Sequence, residues 1–286
     1  STPGFDPLPY AGTRWYGVYL MGEKIGFGSW SLTATDWNGQ TAWKSSLDLS
    51  YHLSLGGQSQ KMTQKEVRIY LPPEGLVRFS FENKSILGTP SASGRKEGNL
   101  FAVTTPASPK TIPYEKESLR DYLADLILVE SGATEGTHVA CRQFAPSLFR
   151  WLSISHTVKE IESIYVNGVS TRLYRIESRF PELGISSESL IDENLHTLES
   201  RLGGVLTIRE EGEKEVRNLE YETDLLLLTA VEAENPHPDP RHARSLALRL
   251  EGIDDPGLII NSSRQKYRRI SPDSYYLRIN AEEWES

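Results

Sequence analysis

The chain has 286 residues, 38% of them hydrophobic and 24% charged, with a formal net charge of -8 and a pI near 5.4. That length carries one large or two modest domains with packed cores, and the balance excludes a disordered chain. The acidic charge speaks against a nucleic-acid partner, whose phosphates demand a basic face, and no apolar run is long enough for a membrane-spanning helix.

Residues 1–9, Ser1 to Pro9, read as a tether of the kind that follows a removed targeting segment. From Arg14 to Leu20 and from Ile25 to Thr35, aromatic or aliphatic residues alternate with small or polar ones around Met21-Gly22-Glu23-Lys24, the pattern of a β-hairpin. A turn at Asp36-Trp37-Asn38-Gly39 leads to expected strands over 41–55, 62–71 and 76–82, so five antiparallel strands follow one another as a meander. Residues 88–113 are rich in Ser, Thr, Pro and Gly and read as mostly loop around one strand at 99–104. Ser118 is the expected cap of one helix, in which Leu119, Tyr122, Leu123, Leu126 and Ile127 recur at three-and-four spacing up to a stop at Ser131-Gly132.

Period two returns over 137–144, 151–165, 171–180, 186–192 and 197–210, with a tight turn at Asn167-Gly168. The charged run from Glu210 to Arg217 marks a boundary; a short strand at 225–231 and an extended linker through Pro236, Pro238 and Pro240 follow. Strands at 245–250 and 275–279 complete the chain. The expected fold is mainly β (α+β): a curved antiparallel sheet packed on one helix over 10–213, and a smaller β-rich subdomain over 214–286.

Candidate chemistry is sparse. Cys141 is the single cysteine, so no internal disulfide forms, and His138, His156 and His196 are the conceivable bases for it. Its place in an alternating strand reads as an unreactive, partly buried thiol. His237 and His242 with Asp239 are metal-ligand types in a proline linker that reads first as a rigid connector. Asp192 and Glu193 are adjacent and face opposite sides of a strand, which suits a turn better than an acid and base pair. Arg264, Lys266, Arg268 and Arg269 around Tyr267 read as the solvated face of a short strand. No metalloprotease, redox, hydrolase or nucleotide-loop motif is present, so no catalytic residue, metal or cofactor is assigned. Aromatic residues crowd the first hairpins and read first as core packing, with Trp15, Tyr19, Phe27 and Trp30 as the candidate ligand-binding residues if they line a concave sheet face.

Trp15-Tyr16-Gly17-Val18-Tyr19-Leu20 followed by Gly22-Glu23-Lys24-Ile25-Gly26 resembles the opening of exported bacterial proteins that carry a transglutaminase-like, papain-like catalytic domain downstream. Phe144-Ala145-Pro146-Ser147, Tyr165-Val166-Asn167-Gly168, Ile191-Asp192-Glu193-Asn194 and Leu246-Ala247-Leu248-Arg249-Leu250 extend the likeness over nearly the whole chain. The resemblance implies a non-catalytic N-terminal region in the periplasm or outside the cell. Its expected partners are a catalytic domain beyond Ser286 in the same polypeptide and a peptide, envelope component or apolar ligand. Membrane attachment is expected only through a segment before Ser1. A sheet wrapped on a helix is also similar in architecture to periplasmic lipoprotein carriers, so a lipid- or hydrophobe-binding carrier is the second reading, and a stand-alone cysteine acyltransferase the third.

Overall fold

A computed structural model describes residues 5–55, 58–85, 88–166, 169–217, 243–252, 259, 262 and 264–280. The chain divides into two compact units, 1–229 and 230–286. The predicted strand at 225–231, the Asn167-Gly168 turn and the candidate ligands His237, Asp239 and His242 lie outside the described residues.

The first unit begins with eight strands: β1 (Gly12–Leu20), β2 (Glu23–Trp37), β3 (Gln40–Leu55), β4 (Gln58–Leu71), β5 (Gly75–Lys84), β6 (Ser91–Glu97), β7 (Leu100–Thr104) and β8 (Lys110–Pro113). Two short helices follow, α1 (Leu119–Tyr122) and α2 (Ala124–Glu130). Six more strands then run as β9 (His138–Ala145), β10 (Arg150–Val166), β11 (Val169–Phe180), β12 (Ile185–Asp192), β13 (Thr197–Leu202) and β14 (Leu206–Glu211). All fourteen form one antiparallel sheet in the order β8-β7-β6-β5-β4-β3-β2-β1-β14-β13-β12-β11-β10-β9. Every neighbour is sequence-adjacent except β1 and β14, which pair from Trp15↔Glu211 to Leu20↔Leu206.

The two edges, β8 and β9, meet through side chains. Phe144 of β9 stacks on Phe101 of β7 at 5.4 Å and packs on Phe79 of β5 at 4.8 Å, and the Trp151 indole of β10 donates to the Pro113 carbonyl at 2.8 Å. The helical segment joins this core: Leu119, Leu123, Leu126, Leu128 and Val129 are buried with Leu32, Tyr70, Tyr174 and Ile191 from strands of both halves.

Local chemistry explains several departures from the sequence reading. Ser118 caps α1 in a capping box with Asp121, and Gly132 (φ 64°) ends α2, so both termini follow the expected signals. The expected single helix is broken at Leu123, whose φ of -101° and ψ of 20° leave the α region. Residues 91–97 and 110–113, expected as loop, are strands β6 and β8. In β6 a weak β propensity hides a strict inner face: Ala92 is buried, and a Cβ on Gly94 would sit 2.3 Å from the Phe79 ring, so small residues there make room for large neighbours. Likewise the strand expected over 197–210 is two, split by Gly203 and Gly204 at positive φ. The boundary placed after residue 213 falls at a third helix, α3 (Glu213–Val216). Val216 is fully buried and Arg217 lies 4.6 Å over the Trp15 ring of β1, so the first unit continues past the charged run.

In the second unit, β15 (Ser245–Glu251), β16 (Gln265–Ser271) and β17 (Ser274–Asn280) form a sheet in the order β15-β17-β16, with Tyr275 and Leu277 buried. Lys266 and Arg268 are exposed and alternate with Tyr267, which packs against Tyr275, whereas the adjacent Arg269 is exposed on the Tyr275 side and lies 5.9 Å from that ring.

Exposed ion pairs lace the outer strand surfaces. Partial burial opposes ionisation of Glu199, but hydrogen bonds from Arg209 and Arg201 outweigh it and hold the carboxyl below the usual range. A depressed carboxyl stabilises above its unfolded pKa, and that contribution is lost as pH falls through the folded value. Glu199→Gln is therefore expected to lower stability by less than about 1 kcal/mol at pH 7, and the deficit to shrink as pH falls below the usual carboxylate range, read by urea denaturation across that range.

Candidate functional site

Strand alternation decides the fate of the four predicted aromatic residues. Arg14 pairs with Trp30 and Gly17 with Phe27 across an unbroken stretch of β1 and β2, so Trp15, Tyr19 and Phe27 share one sheet face and Trp30 takes the other. The expected four-ring patch does not assemble. The Trp15 ring lies under Arg217, and Tyr19 donates to Glu211 at 2.5 Å beneath Arg209. Gly17 is required there, since a Cβ would collide with the Glu211 carboxylate at 2.0 Å.

Trp30 belongs to a different site. It lines an inner-face cavity of about 270 Å³ between the helical segment and strands β1, β2, β3, β13 and β14. Leu47, Leu49, Leu123, Leu126 and Ile208 supply further apolar wall, while Arg14, Tyr16, Asp125, Thr197 and Ser200 supply polar groups. The Trp30 indole N–H donates to Ser45 Oγ at 3.1 Å and to Tyr122 Oη at 3.2 Å, so the ring is fixed by the strand beside it and by α1. Arg14 donates to the Leu195 carbonyl, and burial raises the Tyr16 phenol above its usual range, so Tyr16 remains a neutral donor at physiological pH.

A second constellation looks catalytic at first. Cys141 on β9 has Sγ 3.9 Å from His156 Nε2 on β10, and His156 Nδ1 lies 2.8 Å from Ser178 Oγ on β11. Of the three histidines weighed as bases, the sheet register thus selects His156; His196 instead meets Glu210 at 2.8 Å. The electrostatics run against catalysis. Burial, reinforced by the Asp121 carboxylate, pushes the thiol up to about 11, and burial lowers the imidazole pKa. A neutral thiol beside a neutral imidazole at a long contact distance is the reverse of the thiolate and imidazolium pair that nucleophilic cysteine chemistry requires.

The third cluster was not legible as a site. Glu117 is fully buried: Arg68 donates to Oε1 at 3.0 Å, Tyr70 donates to the same oxygen, and the Phe144 N–H donates to Oε2. Its backbone carbonyl accepts from Leu76 N–H at 2.8 Å, an approach that Gly75 (φ 91°) permits, because a Cβ there would sit 2.4 Å from that oxygen. Burial pushes the carboxyl up, opposed by Arg68, Tyr70 and the Phe144 N–H. Glu117 therefore ties β4 and β5 to the edge strand β9, which makes it a clamp on the seam. In sequence it stands in Tyr114-Glu115-Lys116-Glu117 and reads as one more solvated charge.

Asp192 also has a structural use, its Oδ1 accepting from the N–H groups of Asn194 and His196 in the turn after β12. Among the described residues no group of three or more His, Cys, Asp or Glu is placed to hold a metal ion.

No family model and no curated protein matches this chain. Among solved structures it is similar to the crystal structure of a β-barrel-like protein of a domain of unknown function, DUF1849, from Brucella abortus, at a TM-score of 0.50 and 10% identity, over 70% of this chain and 97% of that one. At that identity the likeness shows a fold: a mainly β, barrel-like antiparallel architecture with few helices.

Proposed function

We propose that this chain is a non-catalytic binding module of an exported bacterial protein, which holds a short apolar segment of a peptide or envelope component in the Trp30 cavity for a transglutaminase-like domain. The observation that carries the reading is the cavity itself, an inner-face space walled by Trp30, Leu47, Leu49, Leu123, Leu126 and Ile208 with a few polar groups at fixed positions. Its volume of about 270 Å³ is just under the range of ~300–1,000 Å³ usual for whole small-molecule ligands, which favours a side chain or short segment over an entire lipid. The protonated state of Cys141 supports the non-catalytic part of the reading over an acyltransferase.

The test is titration of the protein with an environment-sensitive apolar fluorophore and with short apolar peptides. Thr197→Trp fills the cavity from β13 and is expected to weaken binding more than tenfold with an unchanged melting temperature. Trp15→Ala, on the opposite sheet face, is expected to leave binding unaltered. Equal binding by wild type and Thr197→Trp would refute the assignment.

A further inference from the structure

We infer that one end of the fourteen-stranded sheet docks on an anionic lipid bilayer, with hairpin tips inserted among the headgroups. In an all-antiparallel meander alternate turns lie at the same end, so the turns after β1, β7, β9, β11 and β13 share one end. Among the described residues of the first unit, five of the eight exposed large hydrophobic ones stand there: Met21, Leu148, Ile185, Leu202 and Val205. Two of the tips are joined, since Met21 N–H donates to the Val205 carbonyl at 2.8 Å.

The turn chemistry says that Met21 is not there for the fold. Met21 and Gly22 have φ values of 49° and 91°, a two-residue turn whose first position favours Asn or Asp. At the opposite end the same backbone geometry recurs at Asn38 and Gly39, with φ of 53° and 79°, and uses the favoured residue. A 53% exposed methionine in the less favourable φ region gains no core contact to compensate, so an apolar tip is placed there against local preference.

Charge selects the occupant. The chain is acidic overall, at -8, yet Lys61, Lys110 and Arg150 stand exposed at this end and make no ion pair among the described residues. Glu182 shares the Arg142 guanidinium, 3.1 Å away, with Glu115, and Glu23 is a further exposed carboxylate beside the tips. The strand ends and turns of the other end hold Asp36, Glu74, Glu97, Asp192 and Glu193, of which Glu74, Glu97 and Glu193 pair with Lys96, Arg95 and Arg172. Apolar tips within a cationic collar match the headgroup layer of an anionic bilayer, where apolar insertion and electrostatic attraction act together. A protein partner would find the same apolar residues spread over separate hairpin tips, not gathered into one packed patch.

Cosedimentation with phosphatidylcholine vesicles, with and without phosphatidylglycerol, tests this. The wild type is expected to partition at least tenfold more onto the anionic vesicles, and to lose that binding in high salt. Met21→Asp, which suits the turn backbone, and Val205→Asp are each expected to reduce binding at least fivefold at unchanged melting temperature. Tyr165→Asp, 80% exposed at the opposite end, is expected to change nothing. No preference for anionic vesicles, equal loss in Tyr165→Asp, or a concentration-dependent dimer that Met21→Asp abolishes without any vesicle binding would each overturn the inference.

Discussion

Replacing Glu117 by alanine is expected to lower stability by about 3–5 kcal/mol, the range for removing one partner of a buried ion pair. The cost arises from what stays behind. Arg68 is 7% exposed and keeps Glu66 as its ion-pair partner beside the Tyr122 ring, the Tyr70 hydroxyl loses its acceptor, and the Phe144 N–H loses the carboxylate that satisfied it. For a unit of this size that corresponds to a fall of about 10 °C in melting temperature, at ~2–4 °C per kcal/mol. Arg68→Met should also destabilise, and the double variant Arg68→Met with Glu117→Leu should recover only the part of the combined loss that comes from an unpaired buried charge, since Tyr70 and the Phe144 N–H still lack their acceptor. Guanidinium titration of the three variants measures both quantities. A loss below about 1 kcal/mol in Glu117→Ala would show that the seam is held by Phe79, Phe101, Phe144 and Trp151 alone.

The second large effect is kinetic. With its thiol pushed up to about 11, Cys141 holds several hundred-fold less thiolate at neutral pH than a free cysteine of pKa ~8.5. The greater nucleophilicity of a more basic thiolate returns roughly tenfold of that, so alkylation of the folded protein is expected to be at least ~20-fold slower than that of free cysteine. The same thiol should react at the ordinary rate in urea, and Cys141→Ser should fold and bind as the wild type does. Alkylation as fast as free cysteine in the folded state would mean that His156, 3.9 Å away, does activate the sulfur, and would reopen the acyltransferase reading.

Much of the architecture is set by local pattern alone. Period-two alternation with glycine turns specifies most strands from 12 to 211, Ser118 and Gly132 specify where the helical segment starts and stops, and the meander follows from short connections. Local pattern cannot register what depends on partners far along the chain. Strand β6 has poor propensity and exists because Phe79 and Phe101 need Ala92 and Gly94 beside them. The pairing of β1 with β14, nearly two hundred residues apart, has no signal in either strand. The same limit governed the candidate sites. Counting residues from Phe27 to Trp30 gives an odd separation, so their opposite faces were legible, whereas the cavity beside Trp30 needs the helix to arrive from residue 122 onward. Glu117 carries no sequence signal because its neighbours in sequence are charged, and only the closing of β4 onto β9 surrounds it with Arg68, Tyr70 and Phe144 and turns an ordinary carboxylate into the buried clamp of the sheet.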